Sequence, residues 1–363
     1  QSGRFLRHFL YEGFNRDERG RPVYDGVSIH IGGAGRGGFD HRFSHPGRVG
    51  NPFANFFYPG DDFPFTSRRT RDLAGEPERG LLDRAVATDS APKLFQTNTG
   101  YEYWGRAASL VHTTPDGAAD VEPLANERLY HLASAPHYPL PFPPAPGSEV
   151  APDVFRGSAL DTSSVQRALL LHLLGWVEDG VRPPESRVPR IEGGTLVAPG
   201  EQGHVTSWVG PPRSPHVAYR QDFGPQWEQG IVSHQPPLRG GSYGVRVPAL
   251  DAFGSERTGI RVLPLRVPIG TYLPWALRTG APFGEDEMAG YVGTFVPFAR
   301  DGSARRDDDP RPSLAALYRD RAHYASRVDA ELDALVAEGW LLERDRARER
   351  AAALERWEWA IAR

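Results

Sequence analysis

Between Phe5 and Ala133 the chain alternates helical and strand-like patterns three times, and few folds accommodate that order. Phe5, Leu6, Phe9 and Leu10 recur at helical spacing, with Arg4, Arg7 and His8 between them. Residues 23–31 then alternate apolar with small or polar side chains, as a strand does. A short helix over 80–86 leads to a strand over 92–97, and a helix over 107–112 leads to a strand over 127–133. Helix, strand, helix, strand, helix, strand is the order that makes a parallel sheet with helices on its faces, so the fold class is α/β. In such sheets ligands bind beyond the carboxyl ends of the strands. Those ends therefore come first in any search for a site.

The first strand runs into Gly32-Gly33-Ala34-Gly35-Arg36-Gly37-Gly38. Gly33, Gly35 and Gly38 match a dinucleotide-binding spacing, but residues 39–46 lack helical period and stop at Pro46, so no helix follows to receive a pyrophosphate. The glycines are read instead as a tight turn at a strand end. Residues 41–75, rich in Pro, Gly and Phe, read as a lid-like insertion or pocket wall. A proline-rich bridge spans 139–152. A helix follows from 163 to Gly180, with Val165, Leu169, Leu170, Leu173, Leu174 and Val177 as its buried stripe. The expected organisation is a core over 1–180, a β-rich extension over 181–300 and a helical segment over 301–363. Within the extension the strand-like pieces are 194–197, 204–209, 245–247 and 260–267, and the last segment holds helices over about 313–338 and 344–361.

A net charge of −4 gives no footing for nucleic acid, and no apolar run reaches membrane-spanning length. With no cysteine, a thiolate nucleophile, a disulfide framework and Cys-ligated zinc are excluded in this chain, while either redox compartment stays open. No metal or cofactor is expected.

Gln1-Ser2-Gly3, directly before the first helix, reads as the tail of a nucleophile elbow, the strand-to-helix turn G-x-S-x-G of α/β-hydrolases. The nucleophilic serine would stand one position before Gln1, leaving Ser2 as a weak substitute. A serine hydrolase then needs an acid and a histidine later in the chain. Glu102 lies just past the second strand among Tyr101, Tyr103 and Trp104, with Asp116 and Asp40 as competitors. His137 lies just past the third strand; His30 and His131 fall inside strands and His172 inside a helix. One oxyanion-hole N–H would come from Gln1.

The segments QSGRFLRHFLYEGFN, IGGAGRGGFDHRF, PKLFQTNTGYEYWGRAASLVHTT and RLYHLASAPH, in that order, resemble the bacterial "alpha/beta hydrolase domain" proteins. That family is more distantly similar to carbohydrate esterases with a Ser-Glu-His triad. The resemblance extends through the carboxyl-terminal helices and implies Glu102 as the acid and His137 as the base. The family's serine has no position here, so the chain is expected to be a partial α/β-hydrolase fold, cut short at its amino terminus and inactive alone. Its partners would be a small-molecule ester and the missing part of the same domain. Two rivals remain: a non-catalytic module, for instance one that binds carbohydrate, which would explain the eight tryptophans, and a protein matured at Gln1 and completed by a second chain.

Overall fold

Helix α1 (Ser2–Tyr11) lies along the first of three parallel strands, β1 (Gly26–His30), β2 (Lys93–Thr99) and β3 (Glu127–Leu132), arranged in that order. The structure is a computed structural model describing residues 2–36, 61–75, 77–144, 149–151, 154–203, 210–278 and 287–363. Ser28 pairs with Phe95, and Phe95 with Arg128, so the three strands end nearly level. Helix α2 (Asp83–Ala87) leads into β2. Beyond β3, single parallel bridges from Tyr130 to Arg187 and from Leu132 to Ile260 extend the sheet. Among the described residues β1 has no strand on its outer side.

The helix periodicity of residues 2–11 holds, but the buried face differs from the apolar stripe. Phe5 is 50% exposed, while Gly3, Arg4, Arg7 and Leu10 face inward. The reason is polar: the Arg7 guanidinium donates to the side-chain oxygen of Gln96 and, at 2.6 Å, to the Phe65 carbonyl. Gln96 in turn donates to Glu127 at 2.6 Å, which also accepts the Ser67 hydroxyl at 2.7 Å. A buried chain of charge-assisted bonds thus joins α1 to β2 and β3. Leu10 packs beside it against Val27, Ile29, Leu82 and Leu94.

A second, antiparallel sheet has the order β10-β11-β5-β4, from β4 (Glu149–Ala151), β5 (Val154–Arg156), β10 (Gly270–Leu273) and β11 (Thr294–Pro297). Helix α4 (Ser163–Glu178) docks on β1 and β2. Its inward face is Val165, Ala168, Leu169, Leu173 and Trp176, whereas Leu170 and Leu174 point outward. Trp176 sets this rotation, because its ring meets Phe95 at 6.0 Å and lies under the cationic ends of Lys93 and Arg128. Two small antiparallel pairs follow, β6 (Leu196–Val197) with β9 (Val247–Pro248) and β7 (Tyr219–Asp222) with β8 (Leu238–Ser242).

Residues 260–267 are not a strand. Ile260 makes its one bridge to Leu132, and the chain then turns into α5 (Leu263–Arg266), with Pro264 in its first turn where a missing N–H is harmless. The expected helix over 313–338 is two helices, α6 (Leu314–Leu317) and α7 (Arg321–Ala337). The break comes where the Asp320 carboxylate accepts the His323 amide at 2.7 Å, starting a new helix. Helix α8 (Glu343–Ile361) packs antiparallel to α7, with Asp329 and Arg350 paired across them. One apolar cluster joins Phe95 and Tyr130 of the parallel sheet to Leu169, Tyr272, Val328 and Trp357. The lid-like segment is described only from residue 61, where Phe63 and Phe65 are buried and Phe65 packs edge-on against Tyr243. The strand expected at 204–209 lies outside the described residues.

Candidate active site

The first and third parallel strands each end in a segment held in an unusual backbone conformation. After β1, Ile31 and Gly33 take positive φ values of 50° and 59°, so the chain turns at once and residues 31–36 are not helical. Only glycine fits at 33, since a Cβ there would meet Arg106 at 2.4 Å. Asn98, at the end of β2, accepts the Gly33 amide at 2.9 Å and ties the two strand ends together. After β3, Ser134 has φ 56° and turns residues 134–137 back over the sheet.

Glu102 is not in an open turn. It lies in a short helix, α3 (Gly100–Gly105), that starts as β2 ends. The Thr99 amide and hydroxyl donate to its Oε2 at 3.0 and 2.5 Å, leaving Oε1 to face the loop after β3. There His137 Nδ1 approaches to 2.5 Å. A carboxylate can only accept, so Nδ1 carries a proton, and in the neutral ring the lone pair is then on Nε2. Glu102 is fully buried and the His137 side chain is 12% exposed. Burial works against the Glu102 charge, but the His137 bond and charge, with the two bonds from Thr99, outweigh it and hold the carboxyl below its ordinary range.

Aromatic rings enclose the imidazole. Tyr138, Tyr291 and Tyr101 stand with centroids 4.6, 4.8 and 5.5 Å from it, two of them edge-on. Such packing restricts the ring to the orientation that keeps Nδ1 on Glu102. Among the described residues Nε2 has no hydrogen-bond partner. The arrangement can therefore take a proton at Nε2 and have the resulting cation stabilised from behind.

The amino-terminal turn of α1 rests on the same strand ends. A Cβ on Gly3 would lie 2.7 Å from the His30 carbonyl and 3.1 Å from Gly32. His30 itself binds Thr97 Oγ1 at 2.7 Å and is held neutral by burial, with the charges of Glu102 and His137 acting on it in opposite senses. Ser2 opens α1, is exposed, and has no hydrogen bond to His137 among the described residues. Gln1 and Asp40 lie outside the described residues. Asp116 sits in an exposed turn, accepting the Thr114 hydroxyl at 2.5 Å and the Ala118 amide at 3.0 Å.

Sequence reasoning missed Glu256, Asp61 and His216 near this site, while His131, read as lying within a strand, is in β3. His131 is fully buried and binds Glu256 Oε2 at 2.7 Å, and Glu256 also accepts the Ser134 amide at 2.5 Å. Asp61 binds His216 Nε2 at 2.6 Å, and the charges of Arg4 and Arg106 help hold its carboxyl low against burial. Glu256 and His216 come from irregular segments far along the chain, where no period marks them. His172, set aside as structural, donates from Nε2 to the Gly339 carbonyl, 2.8 Å away. Among the described residues no three His, Asp or Glu side chains group as a metal site, and no helix is long and apolar enough to cross a membrane.

A family model described as "Alpha/beta hydrolase domain" matches residues 1–351. Nothing among curated proteins or solved structures matches the chain.

Proposed function

Because the chain belongs to the alpha/beta hydrolase domain family, we propose that it forms the acid and base part of a serine carboxylic-ester hydrolase, with Glu102 and His137 as that acid and base. The observation that carries this reading is the 2.5 Å bond between Glu102 Oε1 and His137 Nδ1, made at the carboxyl ends of neighbouring parallel strands. The nucleophile is a serine immediately before Gln1, at the turn that enters α1. The lodging of Gly3 on His30 and Gly32, and the open outer edge of β1 beside α1, support a strand and elbow at that place.

In this mechanism His137 Nε2 takes the serine proton as Oγ bonds to the ester carbonyl carbon. The tetrahedral oxyanion accepts the Gln1 amide N–H. Its collapse breaks the bond to the alcohol oxygen, which receives the proton from Nε2 and leaves an acyl-serine. Water then gives a proton to Nε2 and attacks the acyl carbon, and the same steps in reverse order release the acid. Glu102 stays ionised throughout and stabilises the imidazolium from behind.

The test is covalent labelling of the complete gene product with a fluorophosphonate, followed by peptide mass spectrometry. An adduct on the serine preceding Gln1, lost in His137→Ala, is expected. Absence of an adduct, or an adduct at Ser2, defeats the proposed nucleophile.

A further inference from the structure

Two guanidinium groups stand beside the dyad without the partners that Arg7, Arg36 and Arg311 receive. Arg7 is handed Gln96 and a carbonyl, Arg36 two carbonyls, and Arg311 the carboxylate of Asp309. Arg4, on the first turn of α1 next to Gly3, is 6% exposed, yet among the described residues its side chain makes no hydrogen bond or ion pair. Arg106 ends α3 at 9% exposure and donates one side-chain bond, from Nη2 to the Tyr291 hydroxyl at 3.2 Å. The Tyr291 ring is the one packed 4.8 Å from His137. Arg106 is thus one phenol ring away from the imidazole.

Among the described residues no carboxylate is in ion-pair contact with either group. Burial, and then repulsion from Arg106, push Arg4 down to about 10, so it remains a cation at neutral pH. Asp61 is the carboxylate that acts on both, and its Oδ2 is taken by His216. Glu102 is occupied by His137 and Thr99. Sheltered guanidiniums with no carboxylate in hydrogen-bonding contact are costly, and the natural remedy is an anion that arrives with the substrate. Planar, multiply donating guanidiniums match a carboxylate in particular.

We infer that this site takes an ester that also carries a carboxylate, gripped by Arg4 and Arg106 while His137 serves the ester carbonyl. This rests on the hydrolase reading above. Arg4 and Arg106 would act in binding, so their contribution falls on KM rather than kcat.

The experiment compares two esters of equal acyl length on the complete gene product, p-nitrophenyl hydrogen glutarate and p-nitrophenyl valerate. The anionic ester is expected to show kcat/KM roughly tenfold or more above the neutral one, through KM. In Arg4→Gln and in Arg106→Gln that ratio should fall towards one, with thermal melts checking that each variant is folded. Calorimetry with glutarate alone reads the anion site without turnover: binding in the wild type that is lost in Arg4→Gln supports it even if no ester is cleaved, in which case only the hydrolase reading fails. Cleavage of both esters at equal rates, or no binding of glutarate, overturns the carboxylate site and leaves the hydrolase reading to the labelling result.

Discussion

The Glu256 carboxylate accepts the Ser134 amide at 2.5 Å, and the Ser134 hydroxyl accepts the Glu256 amide at 2.7 Å. This reciprocal pair pins a serine in the left-handed region, which costs about 1–2 kcal/mol if unsupported. Ser134 begins the loop that delivers His137. On its other side the same carboxylate touches Gly100, where a Cβ would come within 2.6 Å of Oε1, at the start of the helix that delivers Glu102. Glu256 therefore sits between the segments that carry Glu102 and His137, and would act on the proposed chemistry only through their placement. Glu256→Gln keeps the shape but gives up charge-assisted bonds to Ser134 and His131. We expect a loss of about 2–3 kcal/mol in stability, read by denaturant titration, and a fall in kcat with a changed pH–rate profile. An unchanged kcat with the same stability loss would make Glu256 a fold residue only.

Gly3→Ala reverses the usual rule for helices. Alanine ordinarily stabilises a helix by about 1 kcal/mol over glycine. Here the added methyl would press on the His30 carbonyl at 2.7 Å, a backbone atom that cannot swing aside. The variant should be destabilised by more than about 1 kcal/mol. A raised melting temperature would show that α1 is not lodged on the end of β1.

Glu102→Gln removes the charge behind His137 and allows the wrong imidazole tautomer, so ester turnover should fall by roughly 10³ to 10⁴ with little change in KM. The stability effect has a defined sign. The Glu102 carboxyl is held below its unfolded value of 4.5, so its contribution is complete above that value and fades as pH falls through the folded pKa. Urea titrations at neutral pH should separate wild type from the variant, and the gap should close in acid.

Asp62 has the opposite sign. Burial, opposed by Arg36 and assisted by Asp61, raises its carboxyl from 3.8 to about 7. The folded protein keeps this proton where the unfolded chain has lost it, so stability declines as pH rises between those values, by up to about 1.4 kcal/mol per pH unit. Asp62→Asn should flatten that decline and be more stable than wild type at pH 8 by about 2–4 kcal/mol, with the difference vanishing below pH 4. Equal stability of the two proteins at pH 8 would show that Asp62 is ionised without penalty.

Much of the α/β core was legible in local sequence because its signals are local. The three parallel strands, the glycine turn after β1 and the helices α1, α4 and α8 each follow from periodicity, breakers or chirality within about twenty residues. The positions of Glu102 and His137 just past strands are equally local, and parallel strands ending level are enough to bring such positions near one another. What local sequence does not carry is any feature that depends on a distant partner. The inward face of α1 is set by Arg7 reaching Gln96, and that of α4 by Trp176 meeting Phe95, so hydrophobicity alone chose the wrong side chains.

By itself, then, the order of residues determined the class of fold and the two strand ends where an acid and a base would stand. Only the tertiary structure decided that Glu102 Oε1 turns to His137 Nδ1, that Glu256 braces both loops, and that Arg4 and Arg106 gather beside Tyr291. Those relationships join segments 35 to more than 180 residues apart. Their geometry depends on three-dimensional closure, in which burial makes each hydrogen bond and each bare charge count, and no periodic pattern along the chain encodes that.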